Sequence, residues 1–236
     1  MGLVATARGD KSERLGRLVI LGIILYVGLD VVAQVLPPHY SPLHQAESDL
    51  AVGPYGLIMQ FNFLVRGGLS LALVLALRDL LPAGRSRIGV VLLGVWSGCS
   101  ALLAFFNTDI LDDPALVPHL HLTWHGELHL VLATAGFIAA ALGALATSFA
   151  LRGSSKGASV RVPALMLAVL SLLALLAMPR FTSRGMGGLG ERIFLLAILC
   201  WMGLVASAIQ SRGKRSDVTG NTGRKPHAAG VATRSD

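Results

Sequence analysis

The sequence predicts an all-α membrane protein, a bundle of six transmembrane helices with both termini in the cytoplasm. Of the 236 residues, 53% are hydrophobic and 14% are charged, whereas roughly a quarter of the residues in a soluble domain are charged. Six apolar runs approach the roughly 20 residues that an α-helix needs to cross a bilayer. Lysine and arginine concentrate in alternate connections between these runs, which is typical of a multi-pass membrane protein.

The predicted spans form one transmembrane domain over residues 18–211. Pro37-Pro38 is expected to end the first span and Pro179 the fifth, because proline cannot donate a backbone hydrogen bond. Residues 1–17 are predicted to be a cytoplasmic tail, and residues 212–236 a disordered, basic cytoplasmic tail. The spans are expected at about 18–36, 57–77, 88–106, 123–151, 160–178 and 189–209.

Basic residues orient the predicted bundle. Sixteen of the 20 lysines and arginines lie in the two tails and in the connections after the second and fourth spans, so these parts are expected in the cytoplasm. The connections over residues 37–56 and 107–122 contain no lysine or arginine and are expected on the outer face of the plasma membrane. Arg180, Arg184 and Arg192, around the fifth connection, are exceptions to this pattern.

Composition also restricts the class of partner. The net charge is +7, and the basic residues lie between apolar runs. In such positions they indicate topology and contact with anionic membrane lipids. Nucleic acid is therefore not expected as a partner. Cys99 and Cys200 lie inside apolar runs without a CxxC spacing. Neither a disulfide framework nor a thiolate metal site is therefore predicted.

Four histidines cluster at the start of the fourth predicted span: His119, His121, His125 and His129. The last three are spaced four residues apart, which places them on one face of a helix. Neutral imidazoles one turn apart can bind a divalent metal such as zinc. Alternatively, these histidines cap the helix and contact the backbone of the outer loop. Haem is disfavoured because no other span contains a histidine partner.

Polar residues in the two outer connections could complete such a site. Asp49 or Asp109 could supply a third metal ligand or a general base, Ser48 could orient a substrate, and Tyr40 could contact a ligand. Such a site requires both connections to lie on one side of the membrane. Taken alone, these residues are typical of a solvated, ordered loop.

Ionisable residues inside a membrane usually face a partner or a cavity. Asp30 on the first span and Arg66 on the second are expected to form an ion pair, which either pins two helices together or holds a polar ligand. Glu191 suits the start of the sixth span, and Arg192 could reach an outer carboxylate or a lipid phosphate. The GxGxxG match at 185–190 has no preceding strand and is interpreted as a flexible loop.

Small residues spaced by four predict close packing between membrane helices. Gly94 and Gly98 form such a face in the third span, and Ala135, Ala139 and Gly143 form another in the fourth. Either face could instead be the seam of a homodimer.

Several short motifs occur in a characteristic order along the chain. They are Tyr40-Ser41-Pro42, Ser48-Asp49-Leu50, Gly53 to Gly56, Phe106-Asn-Thr-Asp109, His125-Gly-x-x-His129 and Gly190-Glu191-Arg192. Together they resemble the domain of unknown function 998 family, prokaryotic membrane proteins with six helices. The resemblance covers residues 18–211 and implies a multi-pass cell-membrane protein, but no activity. His44, His119 and His121 lie outside the family's pattern.

Three functional hypotheses are consistent with these residues. The first is an outward-facing polar pocket that binds a lipid headgroup, a small ligand or a protein partner. The second is a zinc-dependent lipid hydrolase with His125 and His129 as ligands, similar in chemistry alone to alkaline ceramidases. The third, a transporter, is less favoured because the chain has no inverted repeat. The pocket of the first hypothesis would comprise Asp49, Asp109, His125, His129 and Arg66.

Overall fold

The computed structural model describes residues 2–36, 39–81, 87–110, 122–151 and 159–210, with the backbone alone for residues 2–10, 79 and 80. This described part of the chain is all-helical. Its six α-helices are long and apolar enough to cross a membrane, which confirms the predicted fold class. The helices are α1 (Gly2–Val35), α2 (Gly56–Leu80), α3 (Arg87–Leu102), α4 (Trp124–Ala150), α5 (Arg161–Thr182) and α6 (Gly187–Gln210), with short 3₁₀-helices at Glu47–Ala51 and Leu103–Phe105.

The α-helices pack in chain order around a ring. Each contacts the next, and α6 returns to contact α1. α6 also contacts α2 and α4, so its aromatic side chains reach the centre of the bundle. The ring of Phe194 lies 4.6 Å from that of Phe137 on α4, and the indole of Trp201 donates a 2.9 Å hydrogen bond to Ser148 Oγ. These contacts hold α6 against α4 inside the ring.

Three connections meet at one end of the bundle, which we call the loop end: residues 39–55, 103–110 and 183–186. The Gln60 side-chain amide on α2 donates to the Ala51 carbonyl at 3.4 Å and to Asn107 Oδ1 at 3.0 Å, and so joins the first two connections. His44 Nδ1 donates to the Gly185 carbonyl at 2.7 Å, joining the first to the third. The sequence correctly groups these connections on one side. That this side faces outward remains a prediction from the basic residues.

Several helix boundaries differ from the sequence predictions. α5 continues past Pro179 to Thr182, because proline removes only its own donor and its carbonyl still accepts from Ser183 N at 2.9 Å. The glycine-rich segment expected to be a flexible loop instead begins α6 at Gly187. In addition, α1 begins at Gly2, so helix extends through the segment predicted as an N-terminal tail. The predicted C-terminal tail, 212–236, lies outside the described residues.

The two faces of small residues have different environments. A Cβ built on Gly89 of α3 would lie 2.5 Å from Thr147 Oγ1 and 3.0 Å from Thr147 N. A Cβ on Gly143 of α4 would lie 3.1 Å from Leu93 N, so α3 and α4 approach closely here. Around Gly94 and Gly98, by contrast, no described atom beyond the adjacent residues and the backbone of α3 itself lies within 4 Å of an added Cβ. A homodimer seam on that face stays a prediction.

We expect Gly89→Ala to lower the free energy of unfolding by about 1–3 kcal/mol, because the added methyl overpacks the contact between α3 and α4. Gly94→Ala is the matched control on the same helix, and it should leave stability unchanged or raise it slightly. Unfolding of the detergent-solubilised protein measures both. Equal effects of the two substitutions would contradict the close approach at Gly89.

Candidate functional site

Arg66 is a buried arginine on α2 and lies at the centre of the polar contacts near the loop end. It is 1% exposed, and its guanidinium carbon lies 4.9 Å from the centre of the Trp96 ring and 5.0 Å from that of Phe63. Its Nη1 donates to the Tyr26 hydroxyl at 3.1 Å, and its Nε donates to Ser100 Oγ at 3.3 Å. Aromatic faces and hydroxyl groups therefore replace the water around this charge.

The counter-ion of Arg66 is Glu47, from the 3₁₀-helix of the first connection. Glu47 is 2% exposed, and its Oε2 lies 3.4 Å from Arg66 Nη1. Its Oε1 accepts a hydrogen bond from the Tyr26 hydroxyl, and its backbone N–H donates to Glu191 Oε2 at 2.8 Å. Burial raises the pKa of Glu47 above its ordinary value of 4.5, while Arg66 opposes that shift. One loop residue thus joins α1, α2 and α6.

This arrangement corrects the expected ion pair between Asp30 and Arg66. Among the described residues, Asp30 has no salt bridge; its Oδ2 accepts from Gln34 Nε2 at 2.6 Å, one turn along α1. Its Oδ1 is buried without a hydrogen-bond partner. Depth along the two spans does not reveal that the first connection folds back and carries Glu47 into the bundle.

Arg192 at the start of α6 holds the first connection at a second point. Its Nη1 donates to the carbonyls of Pro42 (2.9 Å) and Gln45 (3.2 Å), and its Nη2 donates to the Tyr40 hydroxyl at 2.6 Å. The loop lies so close to α6 that a Cβ on Gly188 would be 2.1 Å from the Gln45 carbonyl oxygen. The guanidinium that was expected to reach a lipid or a carboxylate instead contacts the loop backbone.

Asp109 fixes the start of α4. Its two carboxylate oxygens accept from the backbone N–H of Thr123 (2.7 Å) and from the Thr123 hydroxyl (2.8 Å). A Cβ on Gly126 would lie 2.1 Å from Asp109 Oδ2, so glycine makes room for the carboxylate. Thr123 Oγ1 in turn accepts from Gly126 N, as a helix cap. These contacts explain why an Asp after α3 accompanies a Gly at the start of α4.

His125 and His129 also contact the segment after α3. His129 is 4% exposed and its Nδ1 donates to the Phe106 carbonyl at 2.7 Å. The ring of His125 packs 3.8 Å from that of Trp124 and 5.8 Å from that of Phe106. The backbone contact of His129 matches the alternative that the sequence left open, whereas His125 packs against aromatic rings.

The predicted metal ligands do not converge in the described part of the chain. No group of three or more His, Cys, Asp and Glu side chains there could hold a metal ion. His121, the third predicted histidine, lies outside the described residues, as does His119. The zinc site accordingly has no support from the positions of His125, His129 and Asp109.

Asp49 stands apart from the other candidate catalytic residues because it borders a cavity. Its Oδ2 accepts from Ala46 N at 3.1 Å. Burial raises the pKa of Asp49 to about 6, and the nearby Glu191 carboxylate adds to the shift, while Ala46 N–H and Arg192 oppose it. Ser48, between Glu47 and Asp49 in sequence, is half-buried.

The cavity measures about 80 Å³ and lies where the end of α1 meets the first and second connections. Polar and apolar side chains share its wall. It is lined by Ala33, Leu36, His39, Tyr40, Gln45, Asp49, Leu50, Val52, Pro54, Tyr55 and Ile110. Of the residues that the sequence singled out, Tyr40 and Asp49 meet here. Arg66, Glu191 and Arg192 belong to the contacts that hold the loop, and Asp30 contacts Gln34 on its own helix.

Sequence reasoning missed two important groups. Tyr26 and Ser100 complete the surroundings of Arg66, and Val52, Pro54 and Tyr55 complete the cavity. A signal existed for Tyr26, which stands four residues before Asp30 and eight before Gln34 on the same face of α1. The sequence contains no comparable signal for the cavity residues, because the path of the loop determines whether they come together.

The sequence model of a family described as "Protein of unknown function (DUF998)" matches residues 20–208. The chain belongs to the DUF998 family. No curated protein and no solved structure matches it. In this DUF998 protein, two residues of the motifs that carried the resemblance anchor connections to helices: Asp109 holds the second connection at the start of α4, and Arg192 of α6 holds the first connection.

We expect Arg66→Met to lower the free energy of unfolding of this DUF998 protein by about 3–5 kcal/mol, because it leaves the Glu47 carboxylate buried without its counter-ion. Arg17→Met is the matched control. It removes an ion pair with Glu13 in which the arginine side chain is 66% exposed, and such pairs contribute less than about 1 kcal/mol. Denaturant or thermal unfolding in detergent compares the two. Similar small losses would show that the buried pair does not stabilise the fold.

Proposed function

We propose that this protein binds a membrane lipid by its headgroup, in the cavity at the loop end, on the outer face of the plasma membrane. The observation that supports the proposal is the cavity itself, whose wall combines polar and apolar side chains. Tyr40, Gln45 and Asp49 offer polar atoms, and Ala33, Leu36 and Ile110 offer apolar surface. Ligand sites in proteins combine these two kinds of wall.

The position of the cavity favours a lipid over a free solute. Ala33 and Leu36 belong to the last turn of α1 and the residue after it, where the apolar surface of the bundle ends. On the same part of α1, Val31, Val32 and Val35 are exposed, Val35 by 77%. A headgroup in the cavity would leave acyl chains against these side chains, within the hydrocarbon layer.

The size of the cavity limits what can enter. At about 80 Å³ it has room for several water molecules or a few non-hydrogen atoms, and it is far below the roughly 300–1,000 Å³ of sites for drug-sized ligands. A small headgroup fits this space, and a whole lipid does not.

The wall of the cavity is fixed before any ligand arrives. Glu47 and Arg192 tie the first connection to the bundle on either side of Ala46, and Tyr40, itself in the cavity wall, donates to the Ala46 carbonyl at 2.7 Å. A preformed site loses less conformational entropy on binding. The two alternatives, a zinc hydrolase and a transporter, have no comparable observation in their favour.

We expect the purified protein to retain lipid through detergent extraction, which native mass spectrometry would detect. Val52→Phe should lose the lipid, because the larger side chain fills the cavity. Val91→Phe makes the same exchange on α3, where Val91 is 64% exposed and away from the cavity, and it should retain the lipid. Thermal unfolding checks that both variants fold. Undiminished lipid binding by folded Val52→Phe would refute the proposal.

A further inference from the structure

The charges around the cavity are unbalanced. Asp49 is the one acidic residue in its wall, and no lysine or arginine lines it among the described residues. The two connections that meet there, described over residues 39–55 and 103–110, contain no lysine or arginine in those ranges. The described wall therefore has no positive charge to balance the negative charge of Asp49.

Acidic side chains outnumber arginines in the group of residues in and behind the wall. The group comprises Asp30, Glu47, Asp49 and Glu191, with Arg66 and Arg192 as the arginines that act on them. Arg66 is engaged by Glu47, Tyr26 and Ser100. Nη1 and Nη2 of Arg192 donate to loop carbonyls and to the Tyr40 hydroxyl. Arg192 Nε has no hydrogen-bond partner among the described residues, but neither arginine lines the cavity, so a phosphate or carboxylate there would meet Asp49 without a cation in the wall.

Aromatic side chains also suit a positive charge. Tyr40 and Tyr55 both line the cavity, and cations are attracted to the faces of such rings. Arg192 already occupies one face of Tyr40, with its guanidinium carbon 5.3 Å from the ring centre. Tyr55, 43% exposed, is the ring that remains for a ligand.

We infer that the cavity takes the ammonium group of a lipid headgroup, as in an ethanolamine lipid, with Asp49 as its anionic partner. This inference rests on the proposed function and names its ligand. The small volume and the hydrogen-bonding capacity of a carboxylate favour a primary ammonium over a trimethylated one.

The groups that face Asp49 make this binding dependent on pH. From α6 these are Glu191 and Arg192, and from the first connection Tyr40; His39 lines the same cavity. Because the pKa of Asp49 is raised to about 6, its carboxylate is ionised at pH 7.5 and largely protonated at pH 5. Affinity for the ammonium should fall about tenfold over that interval.

The test uses the full-length protein in nanodiscs or detergent with ethanolamine, choline, glycerol and phosphatidic acid lipids of identical chains, and with free ethanolamine. Native mass spectrometry should show at least tenfold preference for the ethanolamine lipid over the glycerol lipid at pH 7.5. Asp49→Asn should remove both the preference and its pH dependence. Glu127→Gln makes the same kind of exchange at an exposed carboxylate of α4 and should change neither. His39→Asn should retain the pH dependence.

Each other outcome contradicts a specific part of the account. Preference for an anionic lipid that Val52→Phe abolishes would overturn the ammonium inference and leave the proposed function intact. Lipid binding that is unchanged in Val52→Phe would overturn both the ammonium inference and the proposed function. Binding of free ethanolamine without any ethanolamine lipid would uphold Asp49 as the partner of an ammonium and refute the lipid as its source.

Discussion

The pairing of Arg66 with Glu47 determines how the loop end of this protein is built. Burying an arginine among membrane helices has a large desolvation cost unless a carboxylate and further acceptors surround it. Here the carboxylate comes from a connection, so satisfying the charge on α2 requires the loop to fold into the bundle. The backbone N–H of Glu47 then donates to Glu191, and the position of the 3₁₀-helix is set by α1, α2 and α6 together.

The loop end thus depends on pairs of elements that are distant in sequence. Arg192 holds the first connection against the start of α6, and Asp109 holds the second against the start of α4. Where the anchored segments meet the last turn of α1 they leave a small cavity. Asp49 borders that space, but the two arginines are engaged elsewhere, which is why the cavity is acidic although the chain as a whole carries a net charge of +7.

The sequence predicts the fold well because span length and hydropathy report directly on crossing a membrane. Local signals are less reliable. α5 continues through Pro179 and α6 begins at Gly187, because packing and available backbone carbonyl acceptors outweigh the helix-breaking tendency of proline and glycine. The site is harder still to predict. The spacing of His125 and His129 predicts a metal site, whereas in the structure both rings contact Phe106, in the segment after α3. Depth along the spans pairs Arg66 with Asp30, whereas its ion-pair partner is Glu47. These contacts depend on the paths of loops, which leave no periodic signal in the sequence.

The most direct measurement of the central claim is amide hydrogen exchange over residues 43–52 in the full-length protein, comparing Glu47→Gln with Glu127→Gln. Exchange reports the free energy of local opening. If Glu47 anchors the loop through Arg66, Glu47→Gln should accelerate exchange there while the core of the helices remains protected, and Glu127→Gln should match the wild type. Unchanged exchange of the loop in Glu47→Gln would contradict the account.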